Sequence, residues 1–259
     1  MGEALAGGII TGGLTRAEDI TVHDIRKERL DHLGNTLQVG VSEDLGVAVG
    51  RSDIVILAVK PQDMKGVLKK MSGGLANRLI ISIAAGITLG YIEGILGKKS
   101  RVIRVMPNTP ALIGEGASAL AGGRNVIERD ISIARRIFDS VGITVVVEEK
   151  LIDAVTGLSG SGPAYGFIII EALAQAAIDQ GLAGEDALNL AAQTMLGAAK
   201  LCLKGDRTPT ELTEMVTSPG GTTIEGIKAL KAGKIEETLA AAVEAATQRS
   251  RDLGKNKDR

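Results

Sequence analysis

Apolar residues follow two different regimes along this chain. Between residues 20 and 149, short apolar runs alternate with segments in which apolar residues recur at helical spacing. Residues 20–22, 53–59, 79–83, 101–105 and 143–147 read as strands. The run at 53–59, Asp-Ile-Val-Ile-Leu-Ala-Val, is apolar after its first residue, which is the pattern of a strand buried on both faces of a parallel sheet. The polar stretch 26–33, the segment 63–71 with Met64, Val67, Leu68 and Met71 on one face, and the segments 89–96 and 131–141 read as helices. Strand and helix in alternation predict an α/β domain over 1–149, a doubly wound parallel sheet.

Past residue 149 the pattern changes. Residues 151–253 contain no strand pattern, and the Ala- and Leu-rich segments 165–180, 186–203 and 235–253 have helical composition and period. An all-helical second domain over 150–259 is expected. Phe167-Ile-Ile-Ile170 and Leu239-Ala-Ala-Ala-Val243 are more apolar than a lone bundle of this size requires. A face buried against a second subunit accounts for that; a central helix wrapped by its own neighbours is the alternative. The charged tail 255–259 is expected to be frayed and solvated.

A length of 259 residues suits two domains. With 30 Lys and Arg against 31 Asp and Glu, the net charge of −1 provides no field for a polyphosphate backbone, and two Phe, two Tyr and no Trp leave little to stack on bases. Nucleic acid is not expected as a partner. Apolar runs such as 79–87 are far shorter than the ~20 residues of a membrane span, so no membrane is expected either. No leader pattern opens the chain, and a single cysteine, Cys202, forms no internal disulfide, which fits the cytoplasm. One Cys and two His, His23 and His32, supply no metal motif; Cys202, His23 and His32 read as surface or core residues. The 34 glycines, spread without repeat, point to tight turns and close backbone approaches.

Four motifs carry candidate chemistry. Ala58-Val59-Lys60-Pro61 ends the apolar strand, where open α/β sheets bind ligands; a strand cap with a solvated lysine is the plain alternative. In Met106-Pro107-Asn108-Thr109-Pro110, two prolines hold an amide at the end of the next strand but one, either as a ligand contact or as a rigid turn. Gly157-Leu-Ser159-Gly-Ser161-Gly162-Pro163-Ala-Tyr165 reads as a free helix N-terminus suited to an anion. Thr217-Ser218-Pro219-Gly220-Gly221-Thr222-Thr223 reads as a Gly-Gly loop able to cradle a carboxylate or phosphate, with capping by Thr222 or Thr223 as the alternative. No Ser-His-Asp order or isolated carboxylate pair supports a hydrolase.

With these motifs in this order, the chain resembles the pyrroline-5-carboxylate reductase family. The segments Leu151-Ile-Asp-Ala-Val-Thr-Gly-Leu-Ser-Gly-Ser-Gly-Pro-Ala-Tyr165 and Val216-Thr-Ser-Pro-Gly-Gly-Thr-Thr223 are similar to that family's signatures, and the similarity runs from Met1 to about residue 253. The resemblance implies a Rossmann-like domain for NADPH or NADH, then a helical domain that interlocks with a second subunit as a homodimer, often within a larger ring of dimers. It implies that Ala58, Val59, Lys60 and Pro61 line the cofactor's phosphates and ribose, that Ala84 and Ala85 lie beside it, and that Asn108 lies near the nicotinamide. It further implies that Ser218, Gly220, Gly221, Thr222 and Thr223 hold the substrate carboxylate, with Thr222 reaching the imine nitrogen. The implied reaction is hydride transfer to the C=N carbon of 1-pyrroline-5-carboxylate, giving L-proline.

Family members open with a strand and a Gly-x-Gly-x-x-Gly turn, whereas Met1-Gly2-Glu3-Ala4-Leu5 resembles the end of that turn, with Gly2 as its last glycine. The expectation is an N-terminal strand missing from the sheet, its neighbours unpaired, and a native start about a dozen residues upstream. A cofactor-free oligomerising or binding protein is the competing class. Asp24 favours the 2′-hydroxyl of NADH, while Arg26 and Lys27 favour the 2′-phosphate of NADPH, to which the resemblance leans. A β-hydroxyacid or deazaflavin-linked reductase with a similar cofactor domain would leave the Ser-Pro-Gly-Gly-Thr-Thr loop without a role.

Overall fold

The computed structural model describes residues 1–71 and 78–255; most of the tail expected to fray, 256–259, lies outside the described residues. The chain divides into two compact units, Met1–Ser161 with Glu244–Arg259, and Gly162–Val243.

The first unit runs α1 (Gly2–Thr11), β1 (Thr21–His23), α2 (Lys27–Leu37), β2 (Gly40–Ser42), α3 (Leu45–Gly50), β3 (Ile54–Leu57), α4 (Met64–Met71), β4 (Leu79–Ser82), α5 (Leu89–Leu96), β5 (Arg101–Met106), β6 (Gly116–Gly122), α6 (Glu128–Asp139), β7 (Gly142–Val146) and α7 (Ile152–Val155). Strands β3-β4-β5-β6-β7 form one sheet in that order. Alternation along β4 sorts the core: Ile80 joins Leu57, Met64, Leu68 and Ile92 on one face, and Leu79 and Ile81 join Leu5, Ile103, Leu120 and Phe138 on the other. Helices cover both faces, as a doubly wound sheet requires.

Two features depart from a uniform parallel sheet. β6 is antiparallel to β5, because the link 107–115 is too short for the crossover that a parallel neighbour needs. β1 and β2 form a parallel pair of their own, and among the described residues no ladder joins either of them to β3. The expected unpaired neighbours are therefore present, at the edge of β3 and beside the β1-β2 pair.

A buried charge ties the sheet to the chain that leaves it. Arg104, on β5 and 5% exposed, donates to Glu149 Oε1 at 3.2 Å. The same oxygen accepts from the backbone N–H of Leu89 at 2.6 Å, so the carboxylate also meets the first turn of α5, the favourable end of a helix for an anion.

The second unit contains α8 (Gly162–Asp179), α9 (Gly184–Lys204), α10 (Pro209–Met215), α11 (Thr222–Ala232) and the start of α12 (Ile235–Lys255), whose later turns belong to the first unit. α8 and α9 pack as a hairpin on the small residues Ala174, Ala187 and Ala191. Ala174 is the one buried residue of α8, while Phe167 and Ile168 are 66% and 65% exposed. The other helices of its own unit therefore do not wrap this helix. By contact, residues 150–161 group with the first unit: Ile152 is buried in its core, and Ser250 Oγ, on α12, donates to Asp153 Oδ1 at 2.6 Å.

Candidate active site

Because β3, β4 and β5 are mutually parallel, the loops that follow them leave from one edge of the sheet. This edge gathers Ala58-Val59-Lys60-Pro61 after β3, Ala84 and Ala85 after β4, and Asn108 after β5. The N-terminus of α1 joins them: a Cβ built on Gly2 would lie 3.3 Å from the Ala58 Cβ, a close approach that glycine eases. The first turn of α1 carries no side-chain cap, and its N–H groups suit an anion such as a dinucleotide's pyrophosphate. Ala58, Lys60 and Ala85 are exposed, whereas Ala84 is buried and offers only its backbone.

Asp24, just past β1, does not stand free. Its Oδ1 accepts from the backbone N–H of Arg26 at 2.9 Å and pairs with the Arg26 Nε at 3.3 Å. Burial opposes the charge on Asp24, but the Arg26 backbone and guanidinium outweigh it and hold the carboxyl below its ordinary range. Acid and base expected to compete for the cofactor's ribose are thus one pair. Beside them, Ile25 is 93% exposed.

On α1, Glu3 meets His32 Nε2 at 3.0 Å and the Arg29 guanidinium, both on α2. His32 is thus partnered, and His23 Nδ1 donates to Ser42 O at 2.9 Å. Cys202, expected within an apolar helical stretch, is exposed. The hydrogen bonds from His32 and Arg29 hold the Glu3 carboxyl below its ordinary value. A depressed carboxylate contributes stability above its unfolded pKa that disappears as pH falls through the folded one. Glu3→Gln should therefore lower Tm slightly at neutral pH, with the gap to wild type closing below the usual carboxylate range. A gap that persists unchanged in acid would remove this ion pair from the account.

The segment 157–165 is not a free helix N-terminus. α7 continues into a π-helical turn, Thr156–Gly160, which α8 follows almost at once. The N–H of Ser161 donates to Thr156 O at 2.9 Å, and the hydroxyls of Thr156 and Ser159 bond back to Ile152 O and Val155 O. Groups expected to face an anion are used by the helix itself. Asn108 reaches this turn: its Nδ2 donates to Ser159 O at 3.0 Å, and its Oδ1 accepts from Ala117 N at 2.8 Å. These partners are backbone atoms, which carry no sequence signal.

In the second unit, the Gly221 N–H donates to Ser218 O at 3.0 Å around Pro219 and Gly220 (φ 72°), the residues a type II turn favours. Gly221, not a threonine, is the N-cap of α11, without a side-chain cap bond. Capping by Thr222 or Thr223 is thus replaced by two exposed hydroxyls beside a bent backbone.

Residues 149–253 match the family described as pyrroline-5-carboxylate reductase dimerisation, and residues 1–86 the family described as NADP oxidoreductase coenzyme F420-dependent. Over 256 residues the chain is 47% identical to the pyrroline-5-carboxylate reductase of Methanosarcina acetivorans, covering 98% of this chain and 95% of that one. The chain belongs to the pyrroline-5-carboxylate reductase family. A solved member from Coxiella burnetii superposes with a TM-score of 0.94 at 37% identity, covering 97% of this chain and 94% of that one. The Plasmodium falciparum member, solved with NADP bound, gives 0.87 at 33% identity over 98% and 94%.

The match of residues 149–253 to a dimerisation family supports self-association of this chain. By length and composition, the helical run Glu149–Asp179 would also pass for a membrane span, contrary to the reading of short apolar runs alone. The match of residues 1–86 reflects the shared cofactor domain foreseen for deazaflavin-linked enzymes; identity along nearly the whole chain selects the reductase family.

Proposed function

We propose that this chain reduces 1-pyrroline-5-carboxylate to L-proline with NADPH or NADH. The 47% identity to the Methanosarcina acetivorans reductase over 98% of the chain carries this reading. When bound, the nicotinamide cofactor supplies the hydride that adds to the C=N carbon. Gly2 and the first turn of α1 hold its pyrophosphate; Ala58, Val59, Lys60 and Pro61 follow its phosphates and ribose; Ala84 and Ala85 lie alongside, and Asn108 stands near the nicotinamide end. With Asp24 already paired to Arg26, Arg26 and Lys27 together leave this end of β1 with an excess cation for the 2′-phosphate of NADPH, in keeping with the NADP of the Plasmodium falciparum structure.

Backbone N–H groups of the 218–223 loop, with Ser218, Gly220, Gly221 and Thr223 around it, receive the substrate carboxylate. Thr222 donates its hydroxyl proton toward the imine nitrogen, which makes the carbon more electrophilic and orients it. The absence of a strong base from the motifs agrees with a reaction that needs none. The chain works as a homodimer, within a larger ring of dimers, in the cytoplasm.

The test is oxidation of NADPH by the purified chain with and without 1-pyrroline-5-carboxylate, with L-proline measured directly. Imine-dependent oxidation with matching proline is expected. A folded oligomer that oxidises no NADPH in the presence of the imine would overturn the reading and favour the cofactor-free class.

A further inference from the structure

The loop after β5 and the π-helical turn Thr156–Gly160 are fastened at two points. One is the Asn108 amide, whose oxygen takes the Ala117 N–H at 2.8 Å while its nitrogen donates to Ser159 O at 3.0 Å. The other is Met106, whose Cε lies 2.8 Å from where a Cβ on Gly160 would stand, so the thioether fills the space that glycine leaves.

Ser159 O needs such a donor for a reason written in the sequence. An α-helix would offer it the N–H four residues ahead, and that residue is Pro163, which has none. A π turn is a second irregularity at the same place, of the kind that recurs at functional sites. Asn108 therefore supplies, from another element, the donor that Pro163 lacks.

We infer that Asn108 is a positioning residue: its amide substitutes for the missing N–H of Pro163 and locks the loop after β5 onto the π turn. This rests on the reductase reading above only in that the loop is the one placed near the nicotinamide. The residue's part in turnover is to fix that loop, and cofactor affinity does not depend on its amide.

Asn108→Asp keeps the acceptor for Ala117 N and loses the donor to Ser159 O. Asn108→Ala removes both bonds without adding a charge. Both should lower kcat about tenfold, less than the ~100-fold that a 1 Å misplacement can cost, and leave the NADPH Kd within about twofold of wild type. Hydrogen exchange in the peptide spanning 156–161 should speed up in both. Gly160→Ala strains the same seam from the other side, so its effect on kcat combined with Asn108→Ala should fall short of the product of the two.

A raised NADPH Kd, unchanged exchange at 156–161 and multiplying effects would overturn the inference and make Asn108 a direct cofactor contact. The exchange measurement needs no turnover. If the wild-type chain proves inactive, the reductase reading fails while exchange at 156–161 still decides whether the catch exists.

Discussion

Among the described glycines of the first unit, Gly142→Ala should be the most damaging single methyl to add. Gly142 opens β7 at φ 152°, and its register partner is Gly116, which opens β6. A Cβ on Gly142 would lie 1.9 Å from Gly116 O and 2.5 Å from Gly116 C and N. These are backbone atoms, already fixed by the Gly116 N–H donating to Val141 O at 2.8 Å, so no side chain can move aside. The substitution must break the first rung of the ladder or shift the strand, and a loss of roughly 4 kcal/mol is expected, at the top of the range for point changes. With a urea m-value of about 3 kcal/mol/M, the midpoint should fall by about 1 M or more. Gly94→Ala on α5 is the control: nothing lies within 4 Å of its would-be Cβ, and the helix should gain slightly. A midpoint for Gly142→Ala indistinguishable from wild type would mean that the β6-β7 rung yields freely.

The largest effect on turnover is expected from Thr222→Ala. Its hydroxyl is exposed and the N-cap of α11 is Gly221, so its removal deprives the helix of nothing and Tm should stay within about a degree of wild type. If the hydroxyl donates to the imine nitrogen, kcat should drop roughly 100-fold, the lower end of what a positioned proton donor contributes, with a smaller change in KM for the imine. Thr222→Ser should restore most of the rate. Unchanged kcat in Thr222→Ala would take this residue out of the chemistry and leave the 218–223 loop as a carboxylate cradle alone.

Legibility differed between elements for physical reasons. The helix at 89–96 is found at those residues because Thr88 caps it, accepting from Tyr91 N, and Gly97 ends it at φ 99°. β4 was legible as an apolar run and is buried throughout, whereas the both-face burial expected of 53–59 is not found: β3 is an edge strand, and Ile54, Val55 and Ile56 are only half-buried. β6 was not legible, since Gly-Ala-Ser-Ala-Leu-Ala-Gly has no β-branched residue, yet Ala119, Leu120 and Ala121 are fully buried there. β2 and α3 were too short to stand out, and α1 begins where the resemblance suggested only the end of a turn. The Gly-Gly-Thr-Thr loop was legible as a turn, because a proline followed by two glycines favours one, and the Gly221 N–H closes it onto Ser218 O. The 157–162 stretch was misread: glycines and serines permit a helix N-terminus, but they equally permit a π turn when both flanking segments are helical.

The sequence by itself determined the α/β unit followed by helices, the family, and which residue types are available for cofactor and substrate. All of these follow from local periodicity and from motifs contiguous in the chain. Tertiary structure alone decided that β6 runs antiparallel, that Arg104 and Glu149 brace α5, that Asp24 and Arg26 act as a pair, and that Asn108 is bonded at both ends of its amide. Each of those depends on a backbone atom or a distant side chain, and a hydrogen bond to backbone leaves no mark on the identity of the residue that receives it.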